Sequence, residues 1–204
     1  MKPFVTLSAV AAPYSRSSID TNTLIPHRFV RRPLSSDYGR YLFFDERYAA
    51  DGAENPAFVL NQAPYRCARV LVSGRNFGCG AAEDGPVYAL RDFGIRALIA
   101  PSYADIFAGN CVQNGVLPIV LAETIVENLC DELTRRPGSE VEIDLARETV
   151  VTPSGEVHRF AIEASAKTRL LEGLDDIAMT LRHKSAIAQF ESAYRRRMPW
   201  LIHL

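Results

Sequence analysis

The sequence predicts an α/β fold: a mainly parallel core sheet flanked by helices, with antiparallel strands added after it. Three observations carry that expectation. Apolar runs at 68–73, 97–100 and 117–121 alternate with helical patterns at 83–93 and 102–112, the β-α-β-α-β order of parallel strands joined by right-handed crossovers. The junction after the first of these strands, Ser73-Gly74-Arg75-Asn76-Phe77-Gly78-Cys79-Gly80-Ala81-Ala82-Glu83-Asp84-Gly85-Pro86, is rich in small residues and opens a helix. Another group can approach such a backbone closely, and the N–H groups of a first helical turn favour negative charge. From residue 141 the apolar period shortens to two, as half-buried antiparallel strands require.

Each element follows from a local signal. Residues 4–12 alternate and read as a strand that Pro13 closes. Asp20 and Thr21 precede Leu24, Ile25 and Pro26, where either side-chain oxygen caps a short helical turn. Residues 31–40, including Ser35 and Ser36, hold a proline and a glycine without a sustained period and read as a surface loop. A second irregular stretch, 51–65, holds Pro56 and Pro64 and is expected to wrap the surface. The helix at 83–93 turns Val87, Leu90 and Phe93 inward and stops at Gly94. The helix at 102–112 gives way to an Asn114-Gly115 turn. Ile125, Val126, Leu129 and Leu133 mark a helix at 123–135, which Pro137-Gly138 stops. Strands at 141–145, 149–151 and 157–162 come next, the last two joined through Pro153-Ser154-Gly155. A final helix at 185–197 puts Ile187, Phe190 and Tyr194 on one face, and Arg195, Arg196 and Arg197 form a solvated end favourable to the helix dipole.

Composition limits the function classes. With 204 residues, 48% hydrophobic and 23% charged, the chain can bury one sizeable core, so one domain spanning 1–204 is expected. The net charge of −1 offers no basic field for nucleic acid or an anionic membrane. No apolar run approaches the roughly twenty residues of a membrane span, and the chain reads as cytoplasmic. Cys67, Cys79, Cys111 and Cys130 contain no C-x-x-C pair, so no metal is expected on this chain and the cysteines read as small buried hydrophobes. Cys79, between two glycines ahead of a helix, is the one cysteine placed for some nucleophilicity, yet it too is read as structural. His27, His158, His183 and His203 lack metal-ligand spacing and are expected on surfaces.

Many ordered segments together resemble one family. They include Leu7-Ser8-Ala9-Val10-Ala11-Ala12-Pro13, Asp20-Thr21-Asn22-Thr23-Leu24-Ile25-Pro26, Asn76-Phe77-Gly78-Cys79-Gly80, Ala100-Pro101-Ser102-Tyr103-Ala104-Asp105-Ile106-Phe107 and Leu171-Glu172-Gly173-Leu174-Asp175-Asp176-Ile177. Over nearly its whole length the chain resembles the small subunit of 3-isopropylmalate dehydratase, an aconitase-like hydro-lyase of leucine biosynthesis. The resemblance implies the swivelling β/β/α domain of aconitase, detached as a separate polypeptide. It implies a partner, the large subunit, joined in a heterodimer or heterotetramer and carrying the [4Fe–4S] cluster. It also implies a small hydroxy-acid substrate enclosed between the subunits.

The resemblance places Asp20 and Thr21 on the rim of the active site facing the partner and Cys79 and Gly80 in its glycine turn. Arg75 and Asn76 are substrate-facing candidates because they lie just before that turn, Arg75 not being a fixed feature of the family. After Gly-Cys-Gly the family reads Ser-Ser-Arg-Glu-His-Ala, one serine acting as base and the arginine gripping carboxylate in its planar fork. Here those places hold Ala81, Ala82, Glu83, Asp84, Gly85 and Pro86. Alanine neither accepts nor donates a proton, and Glu83 sets a like charge where a carboxylate is held. Glu83 and Asp84 read either as carboxylates stabilising a helix start or, for Glu83, as a replacement base. Two functions follow: the lid half of such a hydro-lyase, with this or another hydroxy acid as substrate, or a non-catalytic paralogue that occupies or regulates a large subunit.

Overall fold

In the computed structural model, residues 1–34 and 37–201 are described; Ser35, Ser36 and His203, on which loop and surface expectations fall, lie outside them. The strands are β1 (Thr6–Tyr14), β2 (Val70–Ser73), β3 (Ala97–Ala100), β4 (Leu117–Val120), β5 (Glu140–Asp144), β6 (Thr149–Val151) and β7 (Val157–Arg159). They form one seven-stranded sheet in the order β4-β3-β2-β1-β5-β6-β7. β1 to β4 pair in parallel, and the pairs β1–β5, β5–β6 and β6–β7 are antiparallel. The helices are α1 (Thr21–Leu24), α2 (His27–Val30), α3 (Phe44–Arg47), α4 (Gly85–Phe93), α5 (Asp105–Gln113), α6 (Glu123–Arg135), α7 (Ala164–Glu172), α8 (Asp176–Leu181) and α9 (Lys184–Arg197).

Uniformly apolar β2 and β3 are buried on both sides, as expected of parallel strands covered by helices. Alternate residues serve alternate layers. Leu71 and Leu98 pack with Val87 and Leu90 of α4 and Phe107 and Cys111 of α5. Val70, Val72 and Ile99 face Val126, Leu129, Cys130 and Leu133 of α6, with Leu170 of α7 closing the end. Burial pushes the Cys111 thiol well above its ordinary 9.0. The Tyr103 hydroxyl, which donates to the Ile119 carbonyl at 2.9 Å, is likewise driven by burial well above 10.0. The native state therefore keeps protons that the unfolded chain releases, and stability is lost as pH rises above the unfolded values. Urea midpoints measured from about pH 8 to about pH 11 are expected to fall from roughly pH 9 upward, and Cys111→Ala is expected to flatten the start of that fall.

Several expected boundaries are corrected. Pro13 does not close β1 but pairs with Val72 inside it. Pairing with β5 ends at Val10, so the proline sits where the strand has only one neighbour. α4 starts at Gly85 rather than 83, with Asp84 as its N-cap residue and no side-chain cap, so Glu83 and Asp84 stand ahead of the first turn. α5 starts at Asp105 rather than 102 because a parallel bridge between Phe77 and Tyr103 holds that segment extended. β7 stops at Arg159 because its partner β6 is only three residues long.

The irregular stretches are also more buried than expected. Tyr38, in a 3₁₀ turn over Tyr38–Tyr41, is buried, and the neighbouring Gly39 N–H donates to Asp92 of α4 at 2.7 Å. Between α3 and β2, Leu60, Asn61 and Tyr65 are buried. Arg47, only 7% exposed, donates to Asn61 Oδ1 at 3.2 Å and to the Gly39 and Leu42 carbonyls at 3.3 Å. This buried cation ties the long connection to itself; burial lowers its pKa, while the Tyr48 and Phe93 rings lie 5.2 and 4.9 Å from it.

Other side chains depart from expectation as well. Cys111 and Cys130 are buried as small hydrophobes, whereas Cys67 is exposed and Cys79 half-buried. His158 is half-buried on β7, with Nε2 3.4 Å from Glu156, because the β6–β7 hairpin folds over α6. On α9, Phe190 stacks against Tyr194, yet none of the helix is buried. Ile177, Leu181, Phe190 and Trp200 all remain exposed.

Candidate active site

The loop between β2 and α4 is held by a second segment almost sixty residues earlier. The Ile19 carbonyl accepts the N–H groups of Gly78 at 2.8 Å and Cys79 at 3.1 Å. The Thr21 N–H donates to the Cys79 carbonyl at 2.7 Å, and its buried side chain returns a contact, Oγ1 accepting the Ala81 N–H at 3.0 Å. Asp20 caps α1, its Oδ1 taking the Asn22 N–H at 2.6 Å, and it forms a parallel bridge with Cys79. Asp20 thus has the expected capping role, and its carboxylate lies against Gly80.

Glycine is required at two points of this clamp. Gly78 has φ +76°, and a Cβ there would lie 2.1 Å from Cγ of the buried Phe107 ring. Gly80 has φ +100°, and its Cβ would lie 2.2 Å from Asp20 Oδ2. Both positions combine a left-handed backbone with a close neighbour. A cleft of about 270 Å³ opens beside them, lined by Ala81, Ala82, Glu83, Asp105, Ile106 and Asn110 among others.

The cleft bears two carboxylates, Glu83 and Asp105, and no cationic side chain among its lining. Asp20, against Gly80, adds a third carboxylate at the rim. Glu83 is half-buried, and its N–H donates to the Ala81 carbonyl at 3.0 Å. The Tyr38 hydroxyl is held above its ordinary value chiefly by burial, then by Tyr41, and also by the Glu83 carboxylate. The amides of Gly80 and Ala82 find no acceptor among the described residues.

The remaining sequence candidates lie outside this cleft. Arg75 is exposed and points toward the start of α6, its Nε 4.0 Å from Glu123. The Asn76 N–H donates to Ser102 Oγ at 2.8 Å and its side-chain amide donates to Ser18 Oγ at 3.1 Å, contacts that fix the loop. Asp105, Ile106 and Asn110 join the cleft from the start of α5, although sequence reasoning gave Asp105 no role. Its place in the Ala100–Phe107 segment, beside the junction in the α/β order, was the available signal. Thr21→Val removes the acceptor for the Ala81 amide and is expected to cost about 1–3 kcal/mol, read as a lower urea midpoint at unchanged slope.

Among the described residues no group of three or more His, Cys, Asp or Glu is placed to hold a metal. The cysteines do not converge: Cys111 lies on one side of the sheet, Cys130 on the other and Cys79 at the rim. This donor set does not fit an iron–sulfur cluster held by this chain.

The sheet and the clamped strand-to-helix loop define an aconitase-type domain, and residues 1–124 match the aconitase C-terminal domain family. Residues 176–203 match the C-terminal domain of the 3-isopropylmalate dehydratase small subunit. The chain is 44% identical over 201 residues to the 3-isopropylmalate dehydratase small subunit of Paramagnetospirillum magneticum, covering 98% of this chain and 100% of that one. It is 42% identical over 212 residues to the same subunit of Neisseria meningitidis serogroup C, covering all of both chains. A solved 3-isopropylmalate dehydratase structure from Methanocaldococcus jannaschii shares the fold, with a TM-score of 0.66 at 23% identity over 90% of this chain and 98% of that one. The chain belongs to the 3-isopropylmalate dehydratase small-subunit family.

Proposed function

We propose that the chain, acting as one domain over 1–204, is the lid half of a hydro-lyase of the 3-isopropylmalate dehydratase type. It would interconvert 2- and 3-isopropylmalate by dehydration and rehydration, in the cytoplasm, together with a large subunit. The observation that carries the reading is the clamped loop: Ile19 and Thr21 fix Gly78–Ala81 so that positions 81–83 line an open cleft. No helix among the described residues is long and apolar enough to cross a membrane.

Removing the proton next to a carboxylate needs a positioned acceptor and compensation for the growing negative charge. Glu83 is the acceptor we assign, since it is half-buried in the cleft and Ala81 and Ala82 bring no functional group. The cationic clamp for the substrate must come from the large subunit, because the lining here supplies none. A [4Fe–4S] cluster on that subunit would act as Lewis acid toward the substrate hydroxyl.

Helices α8 and α9 bury none of their residues and leave Ile177, Leu181 and Phe190 exposed, which supports a protein partner covering this end of the chain. Co-expression with the large subunit of the same genome tests this. The subunits are expected to copurify, and Phe190→Asp is expected to weaken the complex by about tenfold or more while leaving the melting temperature of the free chain unchanged. Failure to copurify would overturn the assignment as a small subunit.

A further inference from the structure

A second site lies at the opposite pole of the parallel sheet, where β2, β3 and β4 begin. Lys2, Arg69, Arg91 and Arg96 line a cleft of about 390 Å³ whose lining contains no carboxylate. Several other cations are matched by a carboxylate, as in Arg28–Asp45, Arg66–Glu54 and Lys167–Glu148. Here Arg69 acts on Arg96 and no carboxylate lines the cleft between them. Arg96 is half-buried, its pKa is lowered first by burial and then by Arg69, and its Nε is buried with no acceptor among the described residues.

Local structure explains only part of this concentration of charge. Arg91, in the last turn of α4, complements the carbonyls of that helix end and reaches Asn114 Oδ1 at 3.5 Å. Arg96 Nη2 donates to the Lys2 carbonyl at 3.2 Å, which anchors its guanidinium at the cleft. Neither explanation covers Arg69. Arg69 and Arg96 immediately precede the adjacent strands β2 and β3, and the Arg69 carbonyl accepts the Arg96 N–H at 2.8 Å. Two guanidinium forks thus start from neighbouring strands about 4.8 Å apart. Cations crowded without counter-charge in a concave site favour a ligand that brings several negative charges.

We propose that this cleft binds a diphosphate group, either as free pyrophosphate or as part of a nucleoside diphosphate, with the guanidinium groups of Arg69 and Arg96 as its principal contacts. A diphosphate carries more negative charge than a single phosphate and reaches over a longer span, so it meets more of the four cations at once. The site is separate from the Glu83 cleft, at the other end of the strands.

Isothermal titration of the full chain with inorganic pyrophosphate at constant ionic strength tests the proposal, with orthophosphate, ADP and AMP as comparisons. One pyrophosphate per chain is expected, bound about tenfold or more tightly than orthophosphate, and Arg69→Gln is expected to weaken it by about tenfold or more. ADP binding more tightly than pyrophosphate would identify a nucleotide as the source; equal binding would identify the diphosphate alone. Arg91→Gln provides a second variant in case Arg69→Gln alters folding, and is expected to weaken binding too. Absence of pyrophosphate binding, equal binding of orthophosphate, or binding unchanged in both variants would overturn it. So would loss of large-subunit copurification in these variants without any pyrophosphate binding by the wild-type chain.

Discussion

Gly78→Ala is expected to lower the melting temperature by roughly 5–15 °C and to open the clamp on which the candidate active site is built. Two costs add. The left-handed backbone at φ +76° disfavours any Cβ by about 1–2 kcal/mol. The new methyl also meets the Phe107 ring, 2.1 Å from Cγ, and overpacking of this kind typically costs about 1–3 kcal/mol. Phe107 cannot simply swing aside, being 3% exposed and packed against Phe77 with ring centres 5.5 Å apart. A Phe107→Leu change in the Gly78→Ala background should recover part of the loss, because it removes the steric cost and leaves the backbone cost. A melting temperature within the error of the wild type would show that the loop is not held as described.

The second large effect concerns chemistry. Installing Ser-Ser-Arg at 81–83 in place of Ala81, Ala82 and Glu83 exchanges the Glu83 acceptor for a serine with an arginine beside it, and is expected to raise the hydro-lyase rate of the complex by about tenfold or more, less than the roughly hundredfold to ten-thousandfold that a positioned base adds where none stands. An arginine at 83 would also reverse the sign of the charge facing the substrate's carboxylates. These positions are exposed or half-buried, so the replacement should leave the melting temperature nearly unchanged. A formed complex with no gain in rate would mean that Glu83 already serves as well as a serine and an arginine at these positions.

What the sequence disclosed follows from where the physics is local. β2 and β3 were legible because strands buried on both faces are apolar throughout, and α6 was legible to its ends, 123 and 135, because its apolar stripe is bounded by Pro137-Gly138. Pro13 misled because its tolerance depends on where β5 stops pairing, which is decided some 130 residues later. The connection before β2 was misread for a related reason. Arg47 and Asn61 are polar and signal exposure, yet they satisfy each other and nearby carbonyls inside the protein.

The site was legible as a place but not as an arrangement. Small residues after β2 announced a close approach without saying that Ile19 and Thr21 were what approached. Arg75 lies beside the glycine turn in sequence, but its side chain reaches toward Glu123 at the start of α6, away from the cleft. Asp105 entered the cleft only when the Phe77–Tyr103 bridge delayed the start of α5. Tertiary pairing at 77 and 103 thus decided which side chains share the cavity.

The most direct measurement is the anaerobic interconversion of 2- and 3-isopropylmalate by the complex of this chain with the large subunit of the same genome, run beside its Glu83→Gln variant. Turnover by the wild-type complex that is lost in an equally stable Glu83→Gln complex is the predicted result. A stable wild-type complex without turnover, or turnover indifferent to Glu83→Gln, would contradict the assignment of Glu83 as proton acceptor in an active lid.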